Sequence, residues 1–376
     1  MDRRAFGLAG FAFALAPPGM ARTQALAPVI PFEIDRETTG QGFIRLSDVN
    51  LAGSQGAAML DSGAEYCSLS AQLAAAAGLT EARRIPLITF RGRVNAALSR
   101  PADIGISPTF ATTAPILIMP GEIEWPTGRL ISTSIFPHLT LDFDRSVIDL
   151  GGGLDFTRPV GGKRDGLFFV DTPGARRSHR WLLDTGTIST SVTEAALADL
   201  SAAAGTRVEV RQNRRTGGLE TVNGVCRISG LGSGPLALSP LVANVVHERE
   251  MPVRGFSGIL GLTAISAYNW RLDNQNRSVA AQPRRNPPSD FPIVGFYAWH
   301  EGEVATISGL IEQGAAERAG VQLGDRLLSL NGQRPGGNAM ADYIRVGRCA
   351  CSDTYVFEIE RDGQRLTLSA PQQSIF

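Results

Sequence analysis

Trp181-Leu182-Leu183-Asp184-Thr185-Gly186-Thr187 has an earlier counterpart in Met59-Leu60-Asp61-Ser62-Gly63-Ala64. In both, two apolar residues lead into Asp-Ser/Thr-Gly, and the aspartates stand 184 − 61 = 123 residues apart. A lone tripeptide of this kind is weak evidence. A pair set in matching surroundings is an internal duplication.

The surroundings do match. Cys67-Ser68-Leu69-Ser70 leads into the run 71–77 and stops at Gly78, a short helix closed by glycine; Thr190-Ser191-Val192-Thr193 leads into 194–204 and stops at Gly205. About seventy residues beyond each aspartate the agreement resumes, first as Leu130-Ile131-Ser132 with the segment 139–150, then as Ile259-Leu260-Gly261 with 268–280. Between the copies lie Gly151-Gly152-Gly153 and Arg158-Pro159-Val160-Gly161-Gly162, which read as a connector. No Lys-Ser/Thr follows, so they do not form a phosphate loop.

With 376 residues, 43% of them hydrophobic, the chain is long enough for two or three domains with sizeable cores, and 42 glycines with 22 prolines predict short strands joined by turns. The expectation is a mainly β protein. Lys+Arg and Asp+Glu both number 36, so no net field draws nucleic acid. The four cysteines are too few for a disulfide scaffold and read as buried or unpaired thiols, Cys349 and Cys351 included. The four histidines, His138, His179, His247 and His300, show no ligand spacing, so no metal site and no cofactor is expected.

At the amino terminus, Arg3-Arg4 precedes the apolar run Ala5 to Ala16, then Pro17-Pro18-Gly19 and the small-residue sites Gly19-Met20-Ala21 and Ala25-Leu26-Ala27. This predicts a signal peptide over 1–27, too short to span a bilayer. The arginine pair resembles a twin-arginine export signal, which implies a periplasmic or secreted protein with no transmembrane segment after cleavage.

Two similar halves that each present one aspartate at the end of an apolar run suit a specific chemistry. Two carboxylates held face to face share one proton, so one is an acid and the other a base. Such a pair activates water against a peptide carbonyl. Gly63 and Gly186 let the backbone approach without a Cβ, and the Ser62 and Thr185 hydroxyls are placed to tie one loop to the other. Thr187 offers a hydroxyl to Asp184 where Ala64 offers none to Asp61, which predicts Asp184 as the more often ionised member.

These residues resemble the retropepsin-like aspartyl proteases in a bacterial single-chain form, over roughly residues 30 to 282. The resemblance implies two β-rich lobes, 28–152 and 160–282, with catalytic Asp61 and Asp184 supported by Ser62, Gly63, Thr185, Gly186 and Thr187. It also implies a polypeptide substrate lying under flap hairpins, and one chain sufficing for the pair. The flaps fall at 90–95, with Gly92, and at 213–218, with Gly217 and Gly218. One departure stands out: Ser132 occupies the position of Gly261 beneath the first catalytic loop.

After a proline-rich linker at 283–291 the pattern restarts. Alternation over 303–307 predicts a strand, 311–320 a short helix, and Gly324-Asp325-Arg326-Leu327-Leu328-Ser329-Leu330-Asn331-Gly332 a strand turning at Asn-Gly. The segment 292–376 resembles a bacterial PDZ domain, an α+β, partly open barrel. That implies a C-terminal or extended peptide as ligand, with Ile293, Val294, Gly295 and Phe296 as its carboxylate-binding loop. Two other readings compete. One is a peptide-binding protein that keeps the fold without chemistry, motivated by Ser132. The other is a serine protease at Gly230-Leu231-Gly232-Ser233-Gly234, which nothing else in the chain supports.

Overall fold

The computed structural model describes residues 29–35, 43–89, 92–120, 127–151, 154–215, 222–233, 236–238, 240–251, 253–287, 294–301, 304–335, 354–371 and 376. The protein is mainly β. The first half holds β1 (Val29–Pro31), β2 (Glu33–Asp35), β3 (Phe43–Leu51), β4 (Ser54–Asp61), β5 (Ser68–Ser70), α1 (Ala71–Ala76), β6 (Glu81–Thr89), β7 (Gly92–Ile106), β8 (Phe110–Met119), β9 (Arg129–Ser132), β10 (His138–Asp142) and β11 (Val147–Asp149). The second holds β12 (Pro159–Arg164), β13 (Leu167–Pro173), β14 (Ser178–Leu183), β15 (Ser191–Thr193), α2 (Glu194–Ser201), β16 (Arg207–Arg215), β17 (Val222–Ser229), β18 (Leu231–Ser233), β19 (Leu236–Leu238), β20 (Leu241–Val246), β21 (Gly258–Leu260), α3 (Leu262–Ile265), β22 (Tyr268–Asp273) and β23 (Ser278–Pro283).

The duplication in the sequence is a duplication of strand order. In the first half β3 pairs β4, β4 pairs β9, β9 pairs β5, β5 pairs β8, β8 pairs β7 and β7 pairs β6. In the second, β13, β14, β21, β15, β20, β17 and β16 follow in the same order, with parallel and antiparallel pairings matched. The halves meet where β10 lies antiparallel to β22, Leu141 opposite Trp270. Around that seam the order is β1, β11, β10, β22, β23, β12, three strands from each half.

Local chemistry explains the repeated pieces. Ser70 and Thr193 cap α1 and α2 by accepting the N–H groups of Leu73 and Ala196. The helices are shorter than the alanine runs predict, α2 ending at Ser201 before a turn in which the Ala203 N–H reaches the Leu200 carbonyl. Asp142 and Asp273 hold the turns after β10 and β22 by accepting backbone N–H groups two and three residues on. One hydrophobic core runs through both halves and includes the fully buried Phe136, Phe168, Trp181 and Trp270.

The third part holds β24 (Phe296–Glu301), β25 (Val304–Ile311), α4 (Ala315–Ala319), β26 (Arg326–Leu330), β27 (Thr354–Arg361) and β28 (Gln364–Pro371), paired in that strand order. It has its own core around Phe296, Ile307, Tyr355 and Phe357. The turn at Asn331-Gly332 is present, both residues having positive φ. The helix predicted over 311–320 is corrected to Ala315–Ala319. Ile311 remains in β25, where it faces Asn213 of β16.

Candidate active site

Each aspartate stands at the end of a strand threaded beside a parallel neighbour. Leu60 is opposite Ile131 and Leu183 opposite Leu260, so Asp61 and Asp184 emerge at equivalent points. Beyond each aspartate the chain crosses over and returns as β5 or β15 on the far side of β9 or β21. The crossings are pinned alike: the Ser132 N–H reaches Cys67 Sγ at 3.3 Å, and the Gly261 N–H reaches Thr190 Oγ1 at 3.2 Å.

The two loops face each other across the seam. The Asp61 and Asp184 carboxyls stand close enough to act on each other's ionisation. Each carboxyl also lies over the other loop's glycine. A Cβ on Gly63 would stand 2.5 Å from Asp184 Cγ, and one on Gly186 would collide in the same way with the Asp61 carboxyl. Glycine is required at both places because a neighbouring carboxyl occupies the space of a side chain.

Four hydrogen bonds tie the loops beneath this contact. Ser62 Oγ donates to the Leu183 carbonyl at 2.8 Å and accepts the Thr185 N–H at 3.0 Å. Thr185 Oγ1 donates to the Leu60 carbonyl at 2.9 Å and accepts the Ser62 N–H at 3.0 Å. Both side chains are buried, so each hydroxyl satisfies groups that water does not reach.

Burial raises both carboxyls above the ordinary range. Asp61 is raised well above it, by burial first and by the Asp184 charge second. For Asp184 burial also leads, opposed by its hydrogen bonds. Each carboxyl accepts a backbone N–H at the matching position, Asp61 Oδ1 from Gly63 at 2.7 Å and Asp184 Oδ1 from Gly186 at 2.9 Å. The hydroxyl bond expected from Thr187 is not among the hydrogen bonds of the described residues; the Thr187 N–H donates to the Asp184 main-chain carbonyl at 3.4 Å.

The first hairpin exists as β6 and β7, closing with Thr89 opposite Gly92. Gly217 and Gly218 lie outside the described residues, as do Ile293, Cys349, Cys351 and the leader at 1–27. The strand that leads to Gly217, β16, pairs with β25 through Asn213–Ile311, Arg214–Leu310 and Arg215–Gly309. Arg214 is ion-paired with Glu317, and Val225, Tyr297 and Ile311 pack together at this junction. In the expected carboxylate loop, the Val294 and Gly295 carbonyls accept the Ala316 and Ile311 N–H groups, both at 2.9 Å, Gly295 has φ +85°, and Phe296 opens β24.

Cys67 and Cys226 are buried free thiols, each pushed up to about 12 by burial. Among the described residues no helix is long and apolar enough to cross a membrane.

Two side-chain groups have no sequence signal. His179 is fully buried, with Nε2 2.8 Å from Asp199 Oδ2 and Nδ1 3.0 Å from Ser257 Oγ. The Arg176 side chain, bonded to Asp199, holds that carboxyl below its ordinary range. This Ser–His–Asp array is structural, because the Ser257 N–H is bonded to the Arg180 carbonyl at 2.7 Å and is not free to receive an oxyanion. Glu194, His247 and Glu248 place ligand-type atoms within 4.8 Å of one another, all exposed, and the Glu248 carboxylate already accepts the Ala195 N–H. No family model matches the chain, and no curated protein matches it.

Proposed function

We propose that the chain is an exported aspartic endopeptidase: a two-lobed retropepsin-like unit followed by a PDZ domain that recruits polypeptide substrate or gates its access. The observation that carries this reading is the facing pair of carboxyls, Asp61 and Asp184, each seated over the other loop's glycine and contributed by two halves of the same strand order. One chain supplies both, so the site needs no second copy.

The chemistry follows from one shared proton. Asp61, the more deeply buried of the two, is the protonated member and donates to the oxygen of the scissile carbonyl. Asp184 is the base that takes a proton from a water as that water attacks the carbonyl carbon; on collapse Asp184 gives this proton to the leaving amine as the C–N bond breaks, and Asp61 recovers its own from a hydroxyl of the tetrahedral intermediate. The Ser62–Thr185 ties hold the carboxyls at a fixed separation, so little reorganisation is needed at the moment of reaction. The β16–β25 pairing supports a role for the third part beside the site, since the strand leading to the second expected flap is built into its sheet. The duplicated strand order supports the family, and Ser132, fully buried and bonded to the loop, does not argue against catalysis.

The test is digestion of casein and of a peptide library between mildly acidic and neutral pH. Cleavage is expected, with block by a hydroxyl-bearing mimic of the tetrahedral state. Asp184→Asn should abolish it. Absence of cleavage by the wild type, or its persistence in Asp184→Asn, overturns the reading.

A further inference from the structure

The two catalytic-type loops are held from below by different groups at the same places. In the second half, the Leu262 N–H donates to the Thr187 carbonyl at 2.8 Å and the Thr263 N–H to the Ile188 carbonyl at 3.2 Å. Both donors belong to the first turn of α3, where N–H groups have no partner within the helix. Gly261 precedes them, and a Cβ there would stand 2.7 Å from the Ile188 carbonyl oxygen and closer still to Ser189.

In the first half the matching carbonyls are those of Ala64 and Glu65, three and four residues after the aspartate as Thr187 and Ile188 are. Their donors are side chains. Ser132 Oγ donates to the Ala64 carbonyl at 2.6 Å, and Ser134 Oγ donates to the Glu65 carbonyl at 2.8 Å. The Ser134 N–H in turn donates to Ser132 Oγ at 3.0 Å, and the two hydroxyl oxygens are 2.7 Å apart. A 3-10 turn, Thr133–Ile135, stands where the second half has α3.

We propose that Ser132 and Ser134 are positioning residues for Asp61, their hydroxyls replacing the two main-chain donors that hold the Asp184 loop. The chain of contact is short. Ser132 fixes residue 64 through its carbonyl, and the preceding residue, Gly63, donates its N–H to Asp61 Oδ1 at 2.7 Å. The departure at Ser132 is therefore a substitute for the Gly261 arrangement. The charged group acting on Asp61 is Asp184. This inference rests on the aspartic-protease reading for its kinetic test, but not for its titration test.

Ser132→Gly separates two ideas. If a serine there obstructs the loop, glycine raises activity. If the hydroxyl positions it, kcat falls on the order of tenfold, as for a buried acceptor left without its donor, while KM stays within about twofold. The alkaline limb of the pH–rate profile should also move to higher pH, because Asp61, the acid, holds its proton more firmly when the Gly63 N–H that it accepts is misaligned. Ser134→Ala should show the same pattern more weakly, and Ser134→Thr, which keeps the hydroxyl, should restore it. Thermal melts identify a variant that fails to fold; Ser134 is half-buried and carries the test if Ser132→Gly is lost. Carboxyl ¹³C titration of aspartate-labelled protein reads the same effect without any substrate. An Asp61 titration unchanged in both Ser132→Gly and Ser134→Ala overturns the proposal even if the wild type cleaves, whereas a shifted titration in a wild type that cleaves nothing sinks only the protease reading.

Discussion

Replacing Gly63 with alanine drives a methyl group into the Asp184 carboxyl. The new Cβ stands 2.5 Å from Cγ and 2.6 and 2.8 Å from the two oxygens. Unstrained carbon contacts lie at about 3.5–4.0 Å, so the carboxyl must retreat by about 1 Å. Backbone strain adds nothing, since Gly63 does not have a left-handed φ. Misplacing a reacting group by about 1 Å lowers the rate on the order of 100-fold. The assay is kcat/KM on the best library peptide, with a circular-dichroism melt to confirm folding. A second readout is carboxyl titration: separation weakens the Asp184 charge felt by Asp61, so the Asp61 carboxyl falls back toward the ordinary range. A Gly63→Ala protein that cleaves within threefold of wild type, or whose Asp61 titrates as before, would refute the claim that this glycine exists to seat the opposing carboxyl.

Thr185→Val keeps the shape of the buried side chain but strands the Ser62 N–H and the Leu60 carbonyl. At about 1–3 kcal/mol for each unsatisfied buried group, urea denaturation should show a loss of roughly 2–6 kcal/mol. Asp199→Asn tests the His179 array by its pH dependence. The folded Asp199 carboxyl lies below its unfolded value of about 3.9, so its stabilisation is fully present above that pH and is lost as pH falls through the folded value. The melting temperature of the wild type should therefore exceed that of Asp199→Asn at neutral pH, and the gap should begin to narrow below about pH 4 and keep shrinking as the pH falls toward the folded value. A gap that is constant with pH would show that Asp199 acts by shape alone.

The fold was legible wherever a signal was local or repeated. Asp61 and Asp184 stood out because the residues around them recur, and the helix starts at Ser70 and Thr193 because capping hydroxyls lie beside alanine runs. What escaped depends on partners distant in sequence. His179 and Asp199 are 20 residues apart and His179 and Ser257 are 78 apart, and no spacing rule connects them. Ile311-Glu312 looked helical beside the alanines at 315–316, yet Asn213 and Gln212 of β16 recruit that stretch into a sheet. Ser132 was visible as a departure from Gly261, but its meaning was not. A serine in place of glycine reads as a defect until Ser134 and the Ala64 and Glu65 carbonyls are seen around it.

The inequality of the two aspartates has a different origin from the one their neighbours predict. Thr187 and Ala64 differ by a hydroxyl, and that hydroxyl was expected to favour ionised Asp184. Both carboxyls instead accept the main-chain N–H of the second residue after them, so neither gains an advantage from the differing side chains. Their surroundings differ instead. Asp61 is buried at 7% exposure, whereas Asp184 is half-buried. Desolvation disfavours a charge more strongly the less water reaches it, and a like charge nearby raises the penalty again. In the proposed mechanism this unequal access assigns the shared proton to Asp61, and because the two titrate together, the measured steps belong to the pair. On that proposal a near-symmetric scaffold obtains an acid and a base through unequal access to solvent.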